Sequence, residues 1–260
     1  MKHERTSPIP KRDRGLPSAG ASAHAKVEEG LAYGVYLFGG GLGFVLAGSV
    51  YWITVALSID ARLPMSAVML VGVFMCAAMP FRAVRRTRPY ALGAEGERAV
   101  GRALDALAAD GSFVFHDVKP RAEEDWNIDD VVVGPGGVFA VETKNWRYRG
   151  DEKPTIEVEG EGLARVWKDG RREPISHAGE ALEQAARNAK TLRDVLREST
   201  DRSFAVQPVL ALPGYFVEKG EISGVRVRNH NYLHGELKKL RGRLAKEDVA
   251  LVRSRLALMR

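Results

Sequence analysis

The sequence predicts an α/β domain, a mixed β-sheet flanked by helices, preceded by a two-helix transmembrane hairpin. Three observations predict it. Two long runs near the N-terminus carry no charge. The stretch from Trp126 to Arg149 reads as two apolar strands joined by a Gly-Pro-Gly-Gly turn. Beyond it, strand and helix periodicities alternate to the C-terminus.

Leu31 to Ile59 and Met65 to Phe81 hold no charged residue. A bilayer core takes about 20 apolar residues as helix, so the first run is ample and the second sits at the short end. Ser58 to Pro64 forms the polar turn between them. The first run begins too far into the chain, and is too long, for a cleaved signal peptide. Arg82, Arg85, Arg86 and Arg88 follow the second run. Lys2, Arg5, Lys11, Arg12, Arg14 and Lys26 precede the first, while the connecting turn holds only Arg62. Basic residues favour the cytoplasmic side, so the expected location is the cell membrane with both termini cytoplasmic. Gly30 and Gly34, and Gly39 and Gly43, stand in small-xxx-small spacing. Such spacing lets helices approach closely, within the hairpin or between two copies in a homodimer.

The hairpin at 128–143 can be laid out by counting. With the turn centred on Pro135–Gly136, Gly134 faces Gly137 and Val133 faces Val138, which sets Asp129 opposite Glu142. Side chains alternate along a strand, so Glu142 and Lys144 share a face with Asp129 near the open end. Ile128, Val132, Phe139 and Val141 make one face apolar; Val131, Val133, Val138 and Ala140 make the other apolar too. Strands apolar on both faces are central and covered.

An Asp and a Glu-x-Lys on a hairpin describe a surface ion pair equally well when taken alone. At the end of a covered strand the charges need a stronger reason. Two adjacent carboxylates repel, and a hard divalent ion relieves that repulsion. Such an ion polarises a phosphoryl group and lowers the pKa of bound water, and a lysine beside it stabilises developing negative charge. The chemistry expected is metal-dependent phosphodiester cleavage, with Mg²⁺ or Mn²⁺ as cofactor.

The order of motifs resembles the nuclease-related domain, NERD, a branch of the PD-(D/E)xK nuclease-like fold. It opens with Gly93-Ala94-Glu95-Gly96-Glu97 at a helix start. Ile128-Asp129, a valine run, Gly134 to Phe139, and Glu142 to Asn145 follow. Then come Pro174 and a helical Gln184, Asn188, Leu192. The match runs from about Tyr90 to Pro213. The resemblance implies a restriction-endonuclease-like sheet in the order helix, three strands, helix, strand. It implies Asp129, Glu142 and Glu97 as metal-binding carboxylates, Lys144 as the catalytic lysine, and Gln184 as a further residue of the catalytic site. One position departs: the residue after the strand Asp is commonly His in the family and is Asp130 here. Helix-start acids are also favoured by the macrodipole alone, which is the plainer account of Glu97. A solvated helix face is the plainer account of Gln184.

Downstream of the hairpin, Trp146, Arg147 and Arg149 interleave aromatic and basic side chains, a pattern suited to stacking on bases and pairing with phosphates. Thr155–Val158 and Gly162–Trp167 read as strands with a turn at Lys168-Asp169-Gly170. His177–Glu198 reads as a helix with Ala178, Ala181, Leu182, Ala185, Ala189, Leu192 and Leu196 buried. Ala205–Leu212 reads as an apolar strand, Val225–Val227 as one more, and Glu236–Met259 as one or two basic helices that close the domain or else lie against the membrane, closure being the favoured reading. The expected organisation is a disordered basic tail (1–29), the hairpin (30–81, spans at about 31–57 and 65–81) and a basic juxtamembrane linker (82–89). The nuclease-like domain (90–234) and a C-terminal basic helical segment (235–260) follow.

Composition narrows the function classes. Of 260 residues, 45% are hydrophobic and 28% charged, enough for a membrane hairpin and one soluble domain. The single cysteine, Cys76, excludes an intrachain disulfide and a cysteine zinc cluster. No P-loop or dinucleotide fingerprint is present, since the glycines at 39–43 follow no strand. A formal net charge of +6 and a pI of about 9.5 suit a nucleic-acid partner, DNA ahead of RNA, although much of the charge is juxtamembrane. Two classes of function remain. One is a membrane-anchored, divalent-metal-dependent nuclease. The other is a non-catalytic tethered module that binds nucleic acid or a protein.

Overall fold

The structure, a computed structural model, describes residues 19, 21–55, 74, 92–148, 152–218, 220–239 and 244–259. It divides into two compact units, one of Ser22–Leu92 and one of Met1–Ala21 with Gly93–Arg260.

The N-terminal unit is represented by α1 (Ala21–Val55). It begins ten residues before the uncharged run, so Lys26, Glu28 and Glu29 lie in its opening turns. Leu31, Tyr33, Val35, Tyr36, Phe38, Leu42, Phe44 and Leu46 are all exposed. A helix apolar on all sides has no polar face to turn to water. Ala25–Leu46 is long and apolar enough to cross a membrane, by length and composition. It is the one such helix among the described residues. The expected hairpin of two spans is therefore unsupported; its second run, 65–81, lies outside the described residues except for Phe74.

In the C-terminal unit a helix, α2 (92–105), and a 3₁₀ turn (Ala106–Asp110) lead into β1 (Phe113–Val118). β2 (Ile128–Gly134) and β3 (Gly137–Thr143) form the hairpin read from sequence. Gly134 pairs with Gly137 and Val133 with Val138. Gly137 takes a φ of +125°, a conformation open to glycine and strained for any other residue. Then come β4 (Thr155–Glu159), β5 (Gly162–Val166), β6 (Arg172–Pro174), α3 (Ala178–Thr200), β7 (Val206–Ala211), β8 (Phe216–Val217), β9 (Gly220–Ile222) and β10 (Val225–Arg228). α4 (His230–Lys239) and α5 (Lys246–Leu256) end the chain.

The main sheet runs β1-β2-β3-β7-β10-β9. β1–β2, β2–β3 and β9–β10 are antiparallel, and β3–β7 and β7–β10 parallel. This is the mixed sheet flanked by helices that the sequence predicts. β3 and β7 are parallel neighbours because α3 carries the chain back between them. A second sheet, β6-β5-β4-β8, takes β4, β5 and β6 from the segment between β3 and α3, and β8 from beyond β7.

Both faces of β2 and β3 are covered, as the unbroken apolar runs require. Val131, Val133, Val138 and Ala140 pack with Ala189, Leu192 and Leu196 of α3 and with Val249, Val252 and Leu256 of α5. On the other face Val132, Phe139 and Val141 meet Val100 and Leu104 of α2 and Leu233 and Leu237 of α4. The first half of α3 (Ala178, Ala181, Leu182, Ala185) packs with Ile156 and Leu163 of the small sheet and with Leu210 and Val227 of the main one. The C-terminal helices are thus part of the core.

Leu256 is fully buried. Leu256→Ala is expected to lower stability by about 2–4 kcal/mol. Urea unfolding of the purified chain measures this, and a loss under about 0.5 kcal/mol would show that α5 is not part of the core.

Candidate active site

The site is assembled at the open end of the β2–β3 hairpin. The observed ladder reaches Asp130↔Val141, and one further step sets Asp129 against Glu142. Asp129 Oδ2 accepts the backbone N–H of Thr143 at 2.7 Å. β3 runs on beside β7, with the Lys144 N–H donated to the Ala211 carbonyl at 3.0 Å. That extension keeps Lys144 in strand-like alternation, on the face of Glu142. Lys144 Nζ lies 2.7 Å from Glu142 Oε1.

α3 completes this face. Gln184 and Asn188 are one helical turn apart, so both point at the sheet. Lys144 Nζ donates to Gln184 Oε1 at 2.9 Å, and Asn188 Nδ2 donates to Glu142 Oε2 at 2.8 Å. Glu142 is only 2% exposed and Asn188 2%. Each oxygen of the buried carboxylate therefore has its own donor.

Glu97 approaches from α2. Gly96 makes that approach feasible: a Cβ there would stand 2.6 Å from Asn145 Cβ and 3.2 Å from Pro213 Cγ. The helix therefore rests directly on the segments leaving β3 and β7. Burial, then the nearby charges of Asp117, Asp130 and Glu142, push the Glu97 carboxyl up to about 7, against the pull of Lys144. Burial, with Glu142 and Glu97, also holds Asp129 well above the usual carboxylate range. Burial raises Glu142, while Lys144 and Asn188 pull it back. Three acids thus repel one another around a single lysine.

The reverse face of the sheet carries a cluster that the sequence reading did not single out. His116 on β1 stands directly opposite Asp130 on β2. Its Nδ1 lies 2.5 Å from Asp130 Oδ1 and its Nε2 3.1 Å from Asp105 Oδ1. Burial opposes charge on the ring, but the two carboxylates outweigh it and raise His116 to about 9. Where the family commonly has His after the strand Asp, this chain has Asp130, and an imidazole reaches the same face from the neighbouring strand. The loop from Lys119 to Asn127 is too long to reveal that register from sequence. Asn188 was legible as part of a motif, four residues from Gln184, but its partner was not.

Of the residues expected to meet nucleic acid, Trp146 is half-buried, edge-on to His177 with ring centroids 4.9 Å apart, and Arg147 is exposed. Arg149 lies outside the described residues.

The donor set suits a hard cation. All three acids offer oxygen, and Asp129 Oδ1 carries no hydrogen bond among the described residues. No group of three or more His, Cys, Asp or Glu side chains forms a ready ligand cage among the described residues. Mg²⁺ does not need one, because it binds through one or two carboxylates and keeps its waters.

The mixed sheet thus carries paired acids and a lysine at the end of adjacent central strands, braced by Gln184 of α3. Residues 92–213 match the family model of NERD, the nuclease-related domain, which supports the resemblance carried by the motifs. No curated protein and no solved structure gives a significant match to the chain.

The folded chain keeps Glu97 protonated up to pH of about 7, the unfolded chain only to about 4.5. The folded state therefore binds the extra proton, and stability is lost as pH rises between those values. In EDTA, Glu97→Gln is expected to gain roughly 2 kcal/mol relative to wild type between pH 4.5 and 8, after allowance for solvent screening. Thermal unfolding across that range measures it, and a pH-independent difference would contradict the raised pKa.

Proposed function

We propose that this chain is a membrane-anchored, divalent-metal-dependent nuclease that hydrolyses phosphodiester bonds, with DNA as its substrate. The observation that carries the reading is the convergence of Asp129, Glu142, Lys144 and Gln184 at one sheet end, with Glu97 electrostatically coupled to them. The match of residues 92–213 to a nuclease-related family supports it independently.

Asp129 and Glu142, with Glu97, would hold Mg²⁺ or Mn²⁺, which when bound supplies Lewis-acid polarisation and a water of lowered pKa. The remaining work falls to the chain. In hydrolysis, water adds to phosphorus, the bond to the leaving ester oxygen breaks, and that oxygen takes a proton. Negative charge grows on the phosphoryl oxygens as this happens. The Lys144 ammonium, held between Glu142 and Gln184, is placed to stabilise that charge without reorganising. Gln184 fixes the lysine, and Asn188 fixes Glu142. The apolar walls from Val131 to Val141 limit water around the charges and strengthen their interactions.

One observation favours the alternative, a non-catalytic module. Both Glu142 oxygens already have protein donors, as they would in a purely structural ion-pair network.

The purified full chain is to be incubated with supercoiled plasmid, linear DNA and RNA in Mg²⁺, Mn²⁺ or EDTA. The expected result is metal-dependent cleavage that falls by about 10²–10³-fold or more in Glu142→Ala and in Lys144→Ala. Cleavage surviving both substitutions would place the activity elsewhere. No cleavage under any metal would favour the binding module.

Anchoring rests on α1. Its apolar surface has no cover among the described residues, and Gly39, Gly40 and Gly43 leave open space where another helix could pack, in a second copy or in the hairpin. The full chain is expected to stay with membranes through high-salt and alkaline washes. Release by salt alone would remove the anchor from the reading.

A further inference from the structure

A second, basic pocket lies beyond the carboxylates. It is a cavity of about 410 Å³ lined by Arg147, Tyr148, Arg165, Trp167, Arg171 and Glu173. Small-ligand pockets span about 300–1,000 Å³, so this one is large enough for a nucleotide and much larger than a bare phosphate needs.

Its chemistry is unusual for a structural feature. Arg165 projects from β5 and is only 7% exposed. Its Nη1 donates to Glu173 Oε1 at 3.3 Å and its Nη2 to the Arg147 carbonyl at 3.1 Å. Its Nε N–H is buried without a hydrogen bond, and the Tyr215 hydroxyl lies against the same guanidinium. A guanidinium buried beside a single partly exposed carboxylate keeps positive charge that an anion in the cavity would balance. Three guanidinium groups and one carboxylate line this cavity, and Asp169 stands 4.0 Å from Arg171, so positive charge stays in excess and an anion is favoured there.

The aromatic part is arranged for a flat ring. Arg171 lies over the Trp167 ring at 4.1 Å from its centroid. Trp167 is buried, so the outer face of the guanidinium is the one presented. Bases stack on arginine planes as well as on aromatic rings. Tyr148, edge-on to Tyr215 with centroids 5.8 Å apart, forms another wall.

We infer that this cavity binds one nucleotide unit of a single strand, its phosphate on Arg165 and Arg147 and its base against Arg171 and Tyr148. The inference deepens the nuclease reading and rests on it for the kind of ligand. The two sites are close along the chain. Arg147 follows Lys144 by three residues, at most about 11 Å of backbone. An unpaired nucleotide seated here would hold its strand beside the carboxylates. Duplex, whose bases are stacked in pairs, would not enter.

Binding is to be measured with the full chain in mild detergent and EDTA, so that no cleavage intervenes. Anisotropy of fluorescein-labelled (dT)₁₂ reports affinity, with dTMP, thymidine, inorganic phosphate and a DNA duplex as competitors. The expected result is competition by dTMP at least about tenfold stronger than by thymidine or inorganic phosphate, and a weaker effect of duplex. Arg147→Glu and Arg171→Ala, both at exposed side chains, are each expected to weaken binding by about tenfold. Arg165→Met should do the same; the two exposed variants keep the test decisive if that one fails to fold. Unchanged affinity in both exposed variants, or equal competition by inorganic phosphate, overturns the proposal. Parallel cleavage assays in Mg²⁺ separate the two readings. A chain that binds through Arg147 and Arg171 but never cleaves fails as a nuclease and keeps this pocket. One that cleaves while those variants bind normally fails here alone.

Discussion

The ion pair between Glu142 and Lys144 is the interaction on which the rest of the site depends. Glu142 sits on a strand buried on both faces, where an unpaired carboxylate would be expelled or protonated. It stays because Lys144 Nζ is 2.7 Å away and Asn188 takes the second oxygen. Lys144 in turn can serve both Glu142 and Gln184 only because β3 remains strand-like past Thr143, beside Ala211 of β7. The parallel β3–β7 pair and the helix crossing between them are thus what bring two strand residues and two helix residues to one point.

That arrangement leaves a deficit of positive charge. One lysine faces Asp129, Glu142 and Glu97, and the acids raise one another's proton affinity. The reverse face also carries more acid than base, two carboxylates to one imidazolium. There His116, protonated well above neutral pH, lies between Asp105 and Asp130. The excess of acid is larger on the Glu142 side, three carboxyls to one lysine, and under the proposed reading a bound divalent cation would relieve it.

Much of this was legible in the sequence, for definite reasons. The β2–β3 register could be counted because a Gly-Pro-Gly-Gly turn fixes it, and Asp129, Glu142 and Lys144 follow from alternation alone. The α3 stripe was legible because its apolar residues keep helical period over more than five turns. The β1 register was not, since a long polar loop fixes nothing, and with it the His116–Asp130 contact was hidden. The small second sheet was seen as strands but not as a separate sheet, because pairing between β4 and β8 spans sixty residues of chain. Nor could spacing reveal that Trp146 would pack against His177, or that Gly96 is needed for α2 to reach Asn145.

The second sheet gives the negative site a positive flank. Nucleic acid is a polyanion, and a cluster of acids alone would repel it. Arg147 leaves β3 just past the lysine, and β5 and the β5–β6 turn return Arg165 and Arg171 to its side. Arg187, on the solvent side of α3, also acts on Glu142. Acids at the centre and guanidinium groups around them are what phosphodiester chemistry requires. Under the proposed reading the acids would hold a cation against the reacting phosphate, and the arginines would draw in the strand that carries it. If that reading holds, the β4–β6 insertion between β3 and α3 is the part of the fold that would make the acidic end of the sheet approachable by a polyanion.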